Sequence, residues 1–148
     1  MKISDKADYA LHAMMYVASL KGHHPATITE IARAENIPRE YLAKILGELR
    51  KAGLLRPKRG RDGGYLPGKP RGKITFLDIV EAMDGPVEPS NCTMLESRRQ
   101  WHKKGACPAL NVFERIKRGI VRELDSVVID DIPYEKFYKS FALKTGSR

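Results

Sequence analysis

Four cations, Arg56, Lys58, Arg59 and Arg61, crowd a stretch that runs directly into Asp62-Gly63-Gly64. Packed that densely they repel one another, so their use is external: a phosphate backbone or a narrow minor groove would neutralise them. Just upstream, Arg39, Tyr41 and Lys44 fall where one face of a helix would present them, with Glu40, Glu48 and Lys51 beside them. Donors in that pattern can reach base edges in a major groove. A second set of side chains could hold a metal or change redox state. Cys92 and Cys107 are the two cysteines of the chain, and Asp8 and His12 stand four residues apart. On a helix that spacing puts both side chains on one face, about 6 Å apart. Two thiolates with an imidazole and a carboxylate suit zinc, although the 14-residue gap between the cysteines is no finger spacing. The thiols could equally stay free or form a reversible disulfide switch; a permanent disulfide is unexpected in a cytosolic chain. Asp8 could simply favour a helix start, and His12 could be a hydrogen-bonded packing residue. His102, among cations beside Trp101, could be a solvated loop residue or the nitrogen ligand in place of His12.

Local signals locate the elements that must carry these residues. Thr27 followed by Glu30 is a capping box, and Ile28, Ile31 and Ala32 keep one helical face apolar, so a short helix begins there. Glu35-Asn36-Ile37 breaks the pattern. Pro38 then opens a second helix, which Tyr41, Leu42, Ile45, Leu46 and Leu49 continue at spacings of 3 and 4 until Gly53. Two helices joined this closely form a helix-turn-helix, whose second helix enters the major groove. Leu54-Leu55 and Tyr65-Leu66 flank the cationic stretch as the two strands of a hairpin, a wing. Helix pairs with charged outer faces are common in proteins that never touch nucleic acid. The adjoining basic wing weighs against that alternative.

Around this unit lie three further segments. Ser4 to Leu20 reads as a helix capped by Ser4, with Asp5 and Asp8 at its positive end and Tyr9, Ala10, Ala13, Met14, Val17 and Ala18 on a largely buried face. After the linker GKPRGK, Ile74 to Met83 has the period of a short helix capped at Thr75, and Gly85 to Ala106 reads as a loop that holds Cys92. From Pro108 to about Val128, Leu110, Phe113, Ile116, Ile120, Leu124 and Val127 recur at 3 or 4, the stripe of a long amphipathic helix. One small domain hardly covers such a stripe, so it is expected to be a dimerisation helix, in keeping with half-sites ~34 Å apart. Packing on its own domain is the alternative. The tail YEKFYKSFAL could add a helix anchored by Phe137 and Phe141. The expected fold class is mainly α with a small β-wing. A winged helix-turn-helix domain would span residues 1–73, its N-terminal helix also packing on the dimer partner; residues 74–148 would hold the short helix, Cys-bearing loop, dimerisation helix and tail.

Charge supports the assignment. Of the net +9, residues 1–73 carry 15 Lys+Arg against 7 Asp+Glu, while residues 74–148 carry 12 against 11, so the polyanion-binding half is N-terminal. Nine cations face one anion between Arg50 and Lys73. No apolar run approaches the ~20 residues of a spanning helix and no signal peptide precedes the chain, which is expected to be cytoplasmic with no membrane partner. Enzymatic activity has a single candidate nucleophile, Cys107 ahead of a helix start, without a phosphate loop, paired catalytic carboxylates or a nucleophile elbow. An enzyme is therefore not expected.

The order of elements and five motifs together resemble a known family. The motifs are KADYAL at Lys6 to Leu11, IPREYLAKIL at Ile37 to Leu46, KAGLLRPKRGRDGGYLP at Lys51 to Pro67, ITFLDIVEAMDG at Ile74 to Gly85, and CPAL at Cys107 to Leu110. From residue 1 to about 128 the chain resembles the bacterial winged-helix regulators that include the iron-sulfur cluster regulator and the nitric-oxide-sensitive repressor. The resemblance implies a homodimeric transcription factor, often a repressor, that binds a double-stranded operator under the control of a [2Fe-2S] or [4Fe-4S] cluster held in the loop. Cluster-bearing members typically place three cysteines there; this chain has two, with Arg98, His102 and Lys104 between them. Four cysteine ligands cannot come from one chain, but clusters also accept nitrogen ligands. In the family a carboxylate at the equivalent of Asp8 can be contributed to a partner subunit's cluster. The resemblance thus implies one [2Fe-2S] site per subunit, with Cys92 and Cys107 from one chain and Asp8 and His12 from the other. The alternative is a cluster-free regulator that responds to a metabolite, a partner protein or oxidation of Cys92 and Cys107.

Overall fold

The computed structural model describes residues 2–90, 107–134 and 136–137. In chain order it contains α1 (Asp5–Ser19), α2 (Ile28–Glu35), α3 (Arg39–Lys51), β1 (Leu55–Lys58), β2 (Gly64–Pro67), a single 3-10 turn (Arg71–Lys73), α4 (Phe76–Asp84) and α5 (Leu110–Ser126). Cys92, Trp101, His102 and Phe141 lie outside the described residues.

Side-chain caps set three of the helix starts. The Ser4 hydroxyl accepts from the Ala7 N–H at 3.0 Å and donates to Asp84, which fastens the start of α1 to the end of α4. Thr27 and Glu30 close a capping box on α2, and Thr75 and Asp78 close one on α4. Each satisfies two N–H groups that a helix start otherwise leaves open. Asn36 ends α2 in the left-handed region (φ 53, ψ 45), a conformation that Asn tolerates better than most residues. That single residue is why the helical pattern breaks there. Pro38 stands at the N-cap of α3, one position ahead of the first helical turn expected for it.

The core is continuous through all these elements. Ala7, Ala10, Ala13 and Met14 of α1, Ile31 of α2, Leu42, Ile45, Leu46 and Leu49 of α3, and Ile79 of α4 are fully buried together. Burying each large aliphatic side chain is worth about 1.5–3 kcal/mol. Leu11 and Ala7 join the buried face of α1, whereas Tyr9 is half-buried against the cluster.

The wing pairs β1 and β2 antiparallel with Arg56 opposite Leu66 and Lys58 opposite Gly64. It is clamped at its base: Ala26 and Tyr65 exchange N–H donors at 2.9 and 2.8 Å. A Cβ on Gly64 would stand 2.6 Å from the Ala26 carbonyl oxygen, so only glycine fits this approach.

α5 begins at Leu110 rather than Pro108: Pro108 and Ala109 lie in a turn closed by the Leu110 N–H on the Cys107 carbonyl, and the Ala109 carbonyl accepts from the Phe113 N–H to start the helix. It ends at Ser126, where Val127 turns extended and its carbonyl accepts from the Phe76 N–H at 2.9 Å. Its stripe leans on the chain at Leu124, yet no α5 residue is buried, and Val112 and Ile116 are 46% and 44% exposed. Phe137 is 67% exposed and so is no anchor in the subunit core, whereas Tyr134 is buried. Among the described residues no helix is long and apolar enough to cross a membrane.

Candidate nucleic-acid interface and control face

α3 divides its two faces cleanly. Leu42, Ile45, Leu46 and Leu49 point into the core, while Arg39, Glu40, Tyr41, Ala43 and Lys44 are exposed near its start. Arg39, Tyr41 and Lys44 therefore stand together on the N-terminal part of the second helix, the part that meets base edges in helix-turn-helix proteins. Ala43, exposed on the same part of α3, is small enough to permit close approach to a thymine methyl group.

Beside this face the wing exposes Arg56 and Lys58 on β1 and Arg59 and Arg61 in the connection to β2. The ion pairs that Lys2, Lys6, His12, Lys69, Arg71 and Lys117 make among the described residues draw no cation from α3 or the wing. Two of the nine cations counted between Arg50 and Lys73 are thereby removed from the patch. Lys69 pairs with Asp78 at 2.9 Å, and Arg71 pairs with Asp130 at 3.2 Å while donating to the Ala18 carbonyl at 2.9 Å. Their neighbours, not their charge, decide their roles.

On the outer face of α1, Asp8 and His12 come together as the helical spacing requires. His12 Nε2 lies 3.8 Å from Asp8 Oδ1, and Nδ1 lies 3.0 Å from Glu35 Oε2. Glu35, at the end of α2, was not legible as a site residue, because its contact joins two helices and has no sequence period. Tyr9 meets Tyr41 edge to face, with ring centroids 5.7 Å apart and an interplanar angle of 79°. Burial pushes the Tyr16 phenol pKa up, aided by the charges of Glu30 and Glu35. Cys107 lies in the turn that opens α5, half-buried, its carbonyl accepting from the Leu110 N–H at 3.0 Å. Within one chain's described residues no three His, Cys, Asp or Glu side chains form a metal cage. Any metal site built on Asp8 and His12 needs ligands from elsewhere.

A groove of about 1010 Å³ opens between the start of α1, the end of α4 and α5, floored by Ile3, Val80, Met83, Val87, Ile120 and Leu124. Lys2 and Lys6 stand at its edge, already paired with Asp5 and Glu48.

Residues 3–135 match the family described as Rrf2, iron-dependent transcriptional regulator. The HTH-type transcriptional regulator CymR of Bacillus subtilis (strain 168) is 32% identical over 132 residues, covering 89% of each chain. The solved structure of CymR, the global cysteine regulator of B. subtilis, aligns with a TM-score of 0.73 at 31% identity, over 93% of this chain and 98% of that one. The oxidized form of Staphylococcus aureus CymR gives 0.66 at 29% identity, over 88% and 94% of the two chains. T. potens IscR gives 0.68 at 28% identity, over 88% and 85%. Matched along nearly its full length and carrying the outward-facing helix and cationic wing of a DNA reader, the chain belongs to the Rrf2 family of transcriptional regulators and is not an enzyme.

Proposed function

We propose that the chain acts in the cytoplasm as a homodimeric repressor that reads an operator with α3 and grips the flanking backbone with the wing, under control of a [2Fe-2S] cluster. Dimerisation is supported by the unburied stripe of α5, a 17-residue helix about 25 Å long that the subunit itself leaves partly uncovered. The partner's copy of Val112 and Ile116 would find an apolar floor in the neighbouring groove.

The observation that carries the control site is the Asp8–His12 pair. Its imidazole is held at Nδ1 by a carboxylate and offers Nε2 beside a second carboxylate, the arrangement that orients metal-ligating histidines. With Cys92 and Cys107 of the other subunit the donor set comes to two thiolates, one imidazole and one carboxylate, which fits the two irons of such a cluster. When bound, the cluster would supply a one-electron redox centre. Asp8 and His12 would hold one side of it on α1, and Cys107 would tether the other side to the start of α5. Anaerobically purified protein should then show visible sulfur-to-iron absorption and two irons per subunit, lost in Cys107→Ala and in His12→Ala but retained in His102→Ala. Loss in His102→Ala with retention in His12→Ala would transfer the nitrogen ligand to the loop.

A second reading follows from relatives known as a global cysteine regulator and as a CymR solved in an oxidized form. Here Cys92 and Cys107 would act as thiols without iron, and oxidation would alter operator affinity. Colourless, iron-free protein whose band shift responds to peroxide and is reset by dithiothreitol would select it.

A further inference from the structure

His12 is gripped from behind. The Glu35 side chain that faces its Nδ1 is 9% exposed, whereas the imidazole is 45% exposed. A carboxylate only accepts, so a neutral ring in this position carries its proton on Nδ1 and its lone pair on Nε2. Nε2 is the nitrogen that stands near Asp8, too far at 3.8 Å for a hydrogen bond and open to a shared ligand. Glu35 is also the last residue of α2, and the next residue, Asn36, makes the left-handed turn that delivers the chain to α3. Tyr9, next to Asp8 in the chain, abuts Tyr41 of α3. The helix that carries the pair is thus joined to both helices of the reading unit, to α2 through His12 and to α3 through Tyr9.

We propose that Glu35 is a positioning residue: through His12 Nδ1 it fixes which ring nitrogen is offered beside Asp8, and it ties occupancy of that pair to the turn that sets α3. The proposal rests on Asp8 and His12 being the control site. A ligand drawing Nε2 toward Asp8 would rotate the ring against Glu35 and load the end of α2. Loss of the ligand would release it.

The test uses the full-length protein, labelled with nitrogen-15, as wild type, Glu35→Gln, Glu35→Ala and Glu35→Asp. The His12 signals, assigned among the four histidines by comparison with His12→Ala, are recorded on the neutral ring in long-range proton–nitrogen spectra. Wild type should show the Nδ1-protonated form, Glu35→Ala should change to the Nε2-protonated form, and Glu35→Asp should restore the wild-type form at least in part. Glu35→Gln keeps the shape and removes the charge, which serves if the alanine variant folds poorly. The second readout is the ratio of operator affinities with and without a reconstituted cluster, expected to fall about 3-fold or more towards unity in Glu35→Gln. His12 spectra identical in wild type and Glu35→Ala would overturn the proposal. A wild type that takes up no iron would instead remove the cluster reading, and the ring spectra would still decide the role of Glu35.

Discussion

Replacing Arg59 by Gln should weaken operator binding in a form that salt reveals. The Arg59 guanidinium is exposed in the wing connection and takes no part in the ion pairs among the described residues. A dimer loses two copies. If each neutralises one phosphate, the plot of log K against log salt becomes shallower by about 1.8, from ~0.9 per contact. Between about 50 and 200 mM salt that difference amounts to ~12-fold, so the advantage of wild type over the variant should shrink by this factor across the range. Arg71→Gln is the matched control. It removes the same formal charge, but Arg71 is committed to Asp130 and to the Ala18 carbonyl. Its loss should lower unfolding stability by about 1–2 kcal/mol and leave the salt slope unchanged. Fluorescence anisotropy on one operator duplex over a salt series gives both slopes. Equal flattening by the two substitutions would refute the reasoning, because net charge rather than the wing's position would then govern binding.

Gly64→Ala places a methyl group 2.6 Å from the Ala26 carbonyl oxygen. It should cost about 1–3 kcal/mol in urea unfolding and weaken operator binding beyond what stability explains, since the wing must lift from its clamp. At Asp78, burial pushes the carboxyl up, but the Lys69 hydrogen bond, the Thr75 donors and the Lys69 charge outweigh it and hold the pKa below its ordinary 3.8. A pKa depressed in the folded state contributes stability above the unfolded value that is lost as pH falls through the folded one. Asp78→Asn should accordingly be less stable than wild type at neutral pH and show a flatter decline below about pH 4, checked by thermal melts across pH. Ile116→Glu should split the proposed dimer: with two side chains moved out of an apolar contact at about 1.5–3 kcal/mol each, sedimentation should show association weakened by ~100-fold or more.

The fold was legible where a local rule decides it. Thr27 with Glu30, Thr75 with Asp78, and Ser4 announce three helix starts because a capping oxygen must lie within three residues of the N–H it serves. The wing was legible for the same reason, as its turn chemistry and its cations are contiguous. Illegible were contacts whose partners are far apart in the chain. Nothing local distinguishes Arg71, which is consumed by Asp130, from Arg59, which is not, and the two count equally in a charge tally. Glu35 reads as a helix-terminal acid until the crossing of α1 and α2 brings it to His12. The pairing of Asp8 with His12 was visible because a helix period places it. The stretch of sequence around Cys92 and His102 offers no such period.

Control in this molecule would have to act on geometry rather than on charge. A change of one unit at Asp8 and His12 is small against a net charge of +9, and between exposed groups it is screened beyond ~8 Å at physiological salt. In the proposed dimer, operator binding would instead be sensitive to where the two α3 helices stand, since both must meet their half-sites at once. α1 is then the element through which such a shift would pass. Its inner face is locked into the core by Ala7, Ala10, Ala13, Met14 and Val17, and its outer face holds the Asp8–His12 pair and touches α2 and α3 through His12 and Tyr9. Close-packed cores respond to a push by moving between discrete packings rather than by bending. A coupling of about 1–3 kcal/mol, enough for ~5- to 150-fold in occupancy, then requires only that one packing suits the operator spacing and the other does not.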